Sequence, residues 1–368
     1  MHYSAPGKLF ISGEWSILEL GNEGIVAAVN KRVHSVIEKN NENISISIDD
    51  FNIKNLKCRF DGKNLVFYEN VDEIKDKLQF IKESIETALK FLEENNIKLK
   101  PFKIHTWGDQ TNIKVNGETK KIGFGSSAAA TVAVIASVLA FHGYKAKKDE
   151  IYKLATIAHY FAQGKVGSAF DVAASTYGGL FVYKRFDSDW LTKKIESGEQ
   201  IKNIIKEKWP GFYVEKLKIP EDLILLIAWT KESASTSTMV KQMNEFKKNN
   251  PVKYNKLINN IAIIAANAIQ AFKKGEKSKF LDLLKKNEKA LAELGIETGI
   301  NIETPELKKL SEIANKYGAG KLSGAGGGDC GIAICFDKDS ANKIKNEWKK
   351  AGLYIVDATI DKMGLRIE

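Results

Sequence analysis

The sequence predicts an α+β fold in two domains. Its 368 residues exceed what a single hydrophobic core usually spans. Strand patterns dominate the first third, helix patterns the middle, and strands mix with helices towards the end, which is typical of α+β or mixed α/β architecture. We place the division between residues 1–218 and 219–368, just before a strongly apolar strand at residues 222–230.

The elements follow from residue periodicity and turn chemistry. Alternating or β-branched runs predict strands at residues 31–39, 43–49, 178–186, 222–230, 330–336 and 353–360, and Asp61-Gly62 predicts a hairpin between two short strands. Helical spacing predicts helices at residues 72–95, 126–141, 148–161, 233–249, 251–274, 278–294, 304–317 and 340–351. Residues 187–220 are polar and mixed, with a break at Trp209-Pro210-Gly211.

Composition excludes several classes of protein. No run reaches the roughly 18 uncharged apolar residues of a membrane span, and the N-terminus has no secretion signal, so we expect a cytoplasmic protein without a membrane partner. Three cysteines without a C-x-x-C pair and five histidines without paired spacing predict neither a disulfide framework nor a transition-metal site. The net charge of +10 is spread among acidic neighbours, so we expect no nucleic-acid partner.

The second of three glycine-rich segments, residues 120–141, carries the chemistry most directly. Gly123 and Gly125 permit close approach of the backbone, and Ser126 and Ser127 begin an apolar helix whose first N–H groups form an anion site. The alternative is a serine N-cap of a buried helix, and this segment alone leaves both open. A P-loop is excluded because no lysine follows the glycines, and the loose dinucleotide pattern lacks the strand and acidic residue expected after it.

The other two segments are residues 5–21 and 321–336. In the latter, four glycines between Ser323 and Asp329 allow backbone N–H groups to converge into an anion nest, with a flexible turn as the alternative. In the former, Lys8 follows Gly7 and is either a phosphate ligand or a surface lysine.

Taken together and in order, "PGKLFISGEW", "IGFGSSAAATVAV" and "KLSGAGGGDCGIAI" resemble the three motifs of the GHMP kinase superfamily. The resemblance spans nearly the whole chain. It implies an N-terminal domain like domain 2 of ribosomal protein S5 and a ferredoxin-like α/β C-terminal domain. The chain is most similar to the phosphomevalonate kinases, since it has Gly13-Glu14-Trp15 where mevalonate kinases read Gly-Glu-His, and Lys120-Lys121-Ile122 ahead of the second motif.

This resemblance implies transfer of the ATP γ-phosphoryl group to (R)-5-phosphomevalonate, in the mevalonate pathway of isoprenoid biosynthesis, with ATP and Mg²⁺ as cofactors. It places Lys8 between the donor and acceptor phosphates, Asp171 as the second catalytic residue and Mg²⁺ near Ser127. Because a phosphate acceptor needs little proton abstraction, our hypothesis is that Asp171 pairs with Lys8 and orients it; an N-cap role is the alternative. The implied ATP-binding residues are Gly123, Phe124, Gly125, Ser126, Ser127 and Ala128.

For the phosphorylated acceptor, the resemblance implies a second anion site at the start of the helix after residue 232, with a capped helix start as the alternative. The implied substrate-binding residues are Lys8, Ser168, Lys231, Thr236, Ser237, Ser323, Gly324, Ala325 and Gly326. We expect Asp329 to brace its loop through hydrogen bonds. Trp107 or residues 72–95 are candidates for the adenine pocket, and the protein is expected to be a monomer or homodimer.

Three other functions stay open at this point. A GHMP kinase acting on an alcohol such as mevalonate would use Asp171 as a true base. A basic RNA-binding protein could use a fold related to the N-terminal domain. A metabolite-sensing relative without catalysis is disfavoured because Lys8, Asp171 and both serines of the second motif are present.

Overall fold

The computed structural model describes residues 1–109, 112–115, 118–165, 167–232 and 235–368, with the backbone alone for 112–115 and 118–121. The helices are α1 (Lys75–Glu94), α2 (Ser126–Phe141), α3 (Lys148–Ala162), α4 (Phe170–Tyr177), α5 (Ser188–Glu196), α6 (Ile201–Ile204), α7 (Thr236–Asn249), α8 (Pro251–Lys273), α9 (Lys277–Thr298), α10 (Pro305–Ala314) and α11 (Lys338–Lys350). The strands are β1 (His2–Ser12), β2 (Gly24–Lys39), β3 (Ile44–Ile48), β4 (Ile53–Phe60), β5 (Leu65–Phe67), β6 (Phe102–Gly108), β7 (Asn112–Val115), β8 (Glu118–Lys121), β9 (Leu180–Lys184), β10 (Tyr213–Leu217), β11 (Ile224–Trp229), β12 (Ala319–Leu322), β13 (Cys330–Cys335), β14 (Tyr354–Val356) and β15 (Arg366–Ile367).

Two sheets organise the molecule. The larger runs β10-β9-β2-β6-β3-β4-β5, with β1 paired to β2 and to the C-terminal β15. The smaller runs β12-β13-β11-β14, so its four strands, numbered along the chain, lie in the order 2-3-1-4, which is the ferredoxin-like arrangement. The predicted α+β class is therefore confirmed. The division at residue 218 stays a prediction; it falls between β10 and β11.

The central strands of the larger sheet are buried on both faces. Val26 and Ala28 of β2 pack with α1 to α4 in one core, whereas Ile25 and Ala27 face a second core shared with the smaller sheet and α8 and α9. Because successive side chains of a strand point to opposite faces, this double burial requires a continuous apolar run. The sheet that carries the first glycine segment thus lies between the helical layer and the second sheet.

The structure differs from the predicted elements in places where local signals were weak. The elements that we did not predict include β1, β6, β10, β12, α4, α5 and α6, and the strand predicted at residues 353–360 is confined to Tyr354–Val356. Gly7, which precedes Lys8, does not form a turn. It lies instead beside a β-bulge within the strand, where a Cβ atom would come 2.6 Å from the Phe124 carbonyl oxygen. This glycine is explained by a close approach between backbones.

A buried charge cluster joins the two sheets. The Lys321 ammonium on β12 forms an ion pair with Glu14, which follows β1, and both side chains are excluded from solvent. Next to it, Glu288 on α9 accepts a hydrogen bond from the Leu322 backbone N–H at 2.9 Å. Burial raises the pKa of Glu288 to about 8, and the charge of Lys321 offsets this only in part.

Replacing Glu288 by glutamine is expected to flatten the pH dependence of stability. Between its ordinary pKa of 4.5 and the raised value, the folded state holds a proton that the unfolded state releases, so the free energy of unfolding of the wild type falls as the pH rises from about 4.5 to about 8. The neutral amide of E288Q can still accept the hydrogen bond from the Leu322 backbone N–H. Thermal unfolding at about pH 5 and about pH 8 measures the effect, with E221Q at an exposed site as control. Parallel pH profiles of E288Q and wild type would contradict this prediction.

Candidate active site

The three glycine-rich segments meet at the loop of residues 122–125, which precedes α2. From the first segment, the Lys8 backbone N–H donates to the Phe124 carbonyl at 2.9 Å, and the Lys8 ammonium donates to the Gly123 carbonyl at 3.1 Å. From the third segment, the Asp329 carboxylate accepts from the Gly123 N–H at 3.0 Å. The loop is therefore held from both sides. We had expected Asp329 to brace its own loop through hydrogen bonds; its carboxylate instead braces the loop of the second segment.

Direct contacts also tie the first segment to the third. The Ser323 hydroxyl accepts a hydrogen bond from the Phe10 N–H and donates one to the Phe10 carbonyl, both at 2.9 Å. The Trp15 indole N–H donates to the Ala325 carbonyl at 3.2 Å. Trp15 has a φ of 63°, in the left-handed region that bulky residues rarely adopt. These contacts occupy the Ser323 side chain, which we had predicted to act on the substrate.

Different contacts explain the two glycines of the second segment. A Cβ atom on Gly123 would lie 1.8 Å from Oδ2 of Asp329. Gly125 has a φ of 75°, and a Cβ atom there would come 3.0 Å from Cγ of Lys8. Each glycine therefore makes room for a charged side chain from another segment.

The start of α2 offers unpaired backbone donors. The Gly123 N–H is engaged by Asp329, and the Phe124 N–H by the Ile122 carbonyl at 3.0 Å. The first intrahelical bond runs from the Ala129 N–H to the Gly125 carbonyl, and within the described residues the N–H groups of 125–128 meet no acceptor. The turn that carries unpaired donors thus begins at Gly125, two residues after Gly123, the first of the implied ATP-binding residues.

A cavity of about 290 Å³ opens beside this turn. Many of the residues predicted from the sequence share it. It is lined by Lys8, Phe10, Glu14, Trp15, Ile17, Leu18, Gly123, Gly125, Gln163, Gly167, Ser168, Ala169, Phe170, Asp171, Thr236, Ser237, Val240, Gly324, Ala325 and Asp329. Its walls therefore bring Lys8 together with the starts of α2, α4 and α7.

Other predicted residues are not among those that line this central cavity. Phe124 and Ala128 are buried in the cores, where they contribute packing. Gly326 packs against Ile302, since a Cβ atom on it would lie 2.2 Å from the Ile302 carbonyl oxygen. Lys231 and Ser323 also lie off the cavity wall. Ser233, one of the hydroxyl residues before α7, falls outside the described residues, as do the side chains of Lys120 and Lys121.

The predicted pairing of Asp171 with Lys8 is not formed: the ion pairs within 4 Å in the described part of the chain do not include it. The Lys8 ammonium lies 5.9 Å from the centre of the Phe170 ring and donates to the Gly123 carbonyl. Asp171, in the first turn of α4, accepts a hydrogen bond from the adjacent Val172 N–H at 2.9 Å. The two side chains therefore face the same cavity from separate walls.

His159 is a site residue that sequence reasoning missed. It lies on α3, its side chain is 3% exposed, and its Nε2 atom is 3.2 Å from the Ser127 hydroxyl and 3.9 Å from Oδ2 of Asp171. Burial lowers the pKa of this imidazole, against a smaller opposing effect of Asp171. No local signal marks it, because a histidine on the apolar face of a helix is usually part of the core. Only the fold places it between Ser127 and Asp171.

A second pocket of about 160 Å³ is lined by Ser126 and Ser127, which are not among the residues that line the central cavity. The two regions that we had considered for adenine meet here: Trp107 on β6, and Phe80 with its neighbours on α1. The Trp107 ring stacks on His34, with 5.1 Å between ring centres and 9° between the planes. The pocket therefore combines aromatic side chains with Ser126 and Ser127 at the start of α2.

Two features are absent from the described residues. None of their helices is both long enough and apolar enough to cross a membrane. Within the same residues, no three or more His, Cys, Asp or Glu side chains are grouped so that they could hold a metal ion.

Comparisons with known proteins agree with this geometry. The family model "GHMP kinases N terminal domain" matches residues 80–179, and "GHMP kinases C terminal" matches residues 268–353. The phosphomevalonate kinase of Streptomyces sp. (strain CL190) is 30% identical, over 95% of this chain and 94% of its own. That of Saccharolobus solfataricus is also 30% identical, over 99% and 98%. The solved structure of Streptococcus pneumoniae phosphomevalonate kinase in complex with phosphomevalonate and AMPPNP has a TM-score of 0.82 and 26% identity, covering 98% of this chain and 99% of that one. The chain therefore belongs to the GHMP kinase family, as its three glycine-rich segments had indicated.

Proposed function

We propose that this protein is a phosphomevalonate kinase, which transfers the γ-phosphoryl group of ATP to (R)-5-phosphomevalonate and releases (R)-5-diphosphomevalonate and ADP. The observation that carries the proposal is a single cavity onto which the N-termini of α2 and α7 open, with Lys8 on its wall. Two phosphorylated substrates need two anion sites, and each N-terminus supplies N–H donors and a positive dipole end. The relatives named above carry the same activity in their names.

The donor phosphates would bind at the start of α2, on the N–H groups of residues 125–128. Lys8, fixed by its bond to the Gly123 carbonyl, would neutralise charge that develops between donor and acceptor. Hard oxygen donors suit Mg²⁺ that arrives with ATP, and Ser127 and Asp171 are the residues that would hold it. Bound there, Mg²⁺ would offset the charge of the transferring phosphate. His159 would fix the direction of the Ser127 hydroxyl.

The acceptor would occupy the opposite end of the cavity. Thr236 and Ser237 begin α7 and would bind the acceptor phosphate through their hydroxyls and through the first N–H groups of that helix. The Ser168 hydroxyl is buried and, among the described residues, has no hydrogen-bond partner. A buried hydroxyl without a partner is costly, so Ser168 would gain a bond when the acceptor fills the cavity.

The nucleoside would lie in the second pocket, against Trp107. Replacing Trp107 by alanine is expected to raise the KM for ATP about tenfold and to leave the KM for the acceptor unchanged, because stacking of a base on an aromatic ring contributes about 1–3 kcal/mol. Initial rates of ADP release measure both constants. W190A serves as the control, since Trp190 packs on Trp209 away from both pockets. Equal changes in both KM values would contradict the assignment.

The function itself is tested by a panel of acceptors: phosphomevalonate, mevalonate, homoserine and galactose, each with Mg-ATP, with ADP release as the readout. We expect phosphomevalonate to be turned over in clear preference to the three acceptors that lack a phosphate. Turnover of mevalonate but not of phosphomevalonate would overturn the proposal in favour of an alcohol kinase. Tight, salt-sensitive RNA binding without phosphoryl transfer would overturn it in favour of an RNA-binding protein.

A further inference from the structure

Asp329 is held rigidly at the wall of the central cavity. Its backbone N–H donates to the Glu232 carbonyl at 2.9 Å, and its own carbonyl accepts from the N–H and the hydroxyl of Thr230 at 2.9 and 3.1 Å. Its φ of 61° lies in the left-handed region, so the surroundings must fix a conformation that the residue seldom adopts. The segment that follows β11 therefore sets the direction of the Asp329 side chain.

The side chains of Asp329 and Lys8 both form hydrogen bonds with the backbone of Gly123. Oδ1 of Asp329 accepts from the Gly123 N–H, and the Lys8 ammonium donates to the Gly123 carbonyl. The φ of Gly123 lies outside the left-handed region, so its backbone does not itself demand a glycine. What excludes a side chain is Oδ2 of Asp329, only 1.8 Å from where a Cβ atom would stand.

We propose that Asp329 is a positioning residue for phosphoryl transfer: by holding Gly123 it fixes the start of the ATP loop and, through the Gly123 carbonyl, the place of the Lys8 ammonium. The proposal rests on the proposed function only in taking the loop as the ATP site. It gives the third glycine segment a role that does not require its glycines to touch phosphate. It also explains why the Gly123 N–H is not among the unpaired donors at the start of α2.

The role calls for a hydrogen-bond acceptor of this shape more than for a negative charge. Burial raises the pKa of Asp329, and the nearby Lys8 opposes that rise. A full negative charge beside bound phosphates would also repel them. Asparagine keeps the acceptor oxygen and the shape of the side chain. D329N should therefore retain the clamp, which is the hydrogen bond by which the residue 329 side chain holds the Gly123 N–H, whereas D329A should lose it.

The first experiment compares wild type, D329A and D329N in calorimetric binding of Mg-ATP without acceptor, and in kcat. We expect D329A to bind ATP about tenfold more weakly and to lose at least tenfold in kcat, while D329N stays within about threefold of wild type in both. The matched control is D337A, because Asp337 likewise accepts a backbone N–H, that of Ser340 at 2.7 Å, but caps α11 away from the cavity. If D329A changes ATP binding no more than D337A does, the proposal is overturned.

The second experiment is a double-mutant cycle with G123A. The single variant G123A should weaken ATP binding about tenfold, because the added methyl group displaces the Asp329 side chain. In G123A/D329A that side chain is absent and no clash occurs. The double variant should therefore bind ATP about as weakly as D329A, and not a hundredfold more weakly than wild type. Multiplicative losses would overturn the clamp. The thermal midpoint of each variant is measured alongside, and since D329N retains the bond, its rescue separates positioning from a failure to fold.

Failure of this inference can be told apart from failure of the proposed function. ATP binding is read without any acceptor, so a wild type that binds ATP but rejects phosphomevalonate would refute the acceptor assignment and still test the clamp. A wild type that turns over phosphomevalonate, with D329A equal to it, would refute the clamp alone. A wild type that does not bind ATP would overturn both.

Discussion

Replacing Lys8 by methionine is expected to lower kcat by about a thousandfold, with a much smaller effect on thermal stability. Cationic groups that neutralise a transferring phosphoryl group contribute about 10³ to 10⁵ in rate, since this reaction depends on positioning and charge. Methionine retains an unbranched stem of similar length to pack beside Gly125, so the loss is confined to the ammonium and its bond to the Gly123 carbonyl. ADP release at saturating concentrations of both substrates measures it.

A matched control is K153M. The Lys153 ammonium also donates to backbone carbonyls, those of Ile205 and Glu207 at 2.8 and 2.7 Å, but far from the cavity. K153M should therefore lose some stability and keep its kcat. K8R adds a second comparison: it preserves charge in a larger planar group, and we expect partial activity because a guanidinium cannot take the compact position of the ammonium. A kcat for K8M within tenfold of wild type would remove Lys8 from the reaction.

The sequence indicated which segments form the site but not how they hold one another. Glycines at fixed positions before an apolar helix are a local signal, and α2 begins at the predicted Ser126. The reasons for those glycines are not local. Asp329 is 206 positions from Gly123 along the chain, and no periodicity relates the two. The pattern therefore predicted a phosphate loop and could not predict that the first N–H of the loop is taken.

The roles of buried polar residues were also not predicted from the sequence. His159 and Lys321 lie within apolar runs of α3 and β12, where a single polar side chain gives no hint of its partner. Each acquires its role from a residue that the fold brings in, Ser127 for His159 and Glu14 for Lys321. The pairing of Lys8 with Asp171 shows the opposite error. It was inferred from the chemistry of a phosphate acceptor and from the opposite charges of the two residues, whereas the direction of the Lys8 side chain is set by the Gly123 carbonyl.

Replacing Asp171 by asparagine is expected to lower kcat by about a hundredfold, by the same factor at about pH 7 and about pH 9. The acceptor phosphate has a second pKa of about 6, so above neutrality it carries almost no proton for a base to remove. Asp171 contributes through its charge at the start of α4, near His159 and across the cavity from Lys8. The measurement is the ratio of kcat between wild type and D171N across this pH range. D149N is the control, because Asp149 accepts from Tyr177 at the far end of α4.

The pH dependence of the kcat ratio also indicates whether the acceptor is a phosphate or an alcohol. A hydroxyl acceptor must lose its proton during transfer, so an enzyme acting on an alcohol would need Asp171 as a base, and D171N would recover as hydroxide becomes available at higher pH. A phosphate acceptor has no such proton, so no recovery is expected. A flat ratio with phosphomevalonate turnover therefore supports a role of Asp171 other than proton removal and a phosphate as the acceptor. A rising ratio of D171N to wild-type activity would assign Asp171 to proton removal and would point to an alcohol as the substrate.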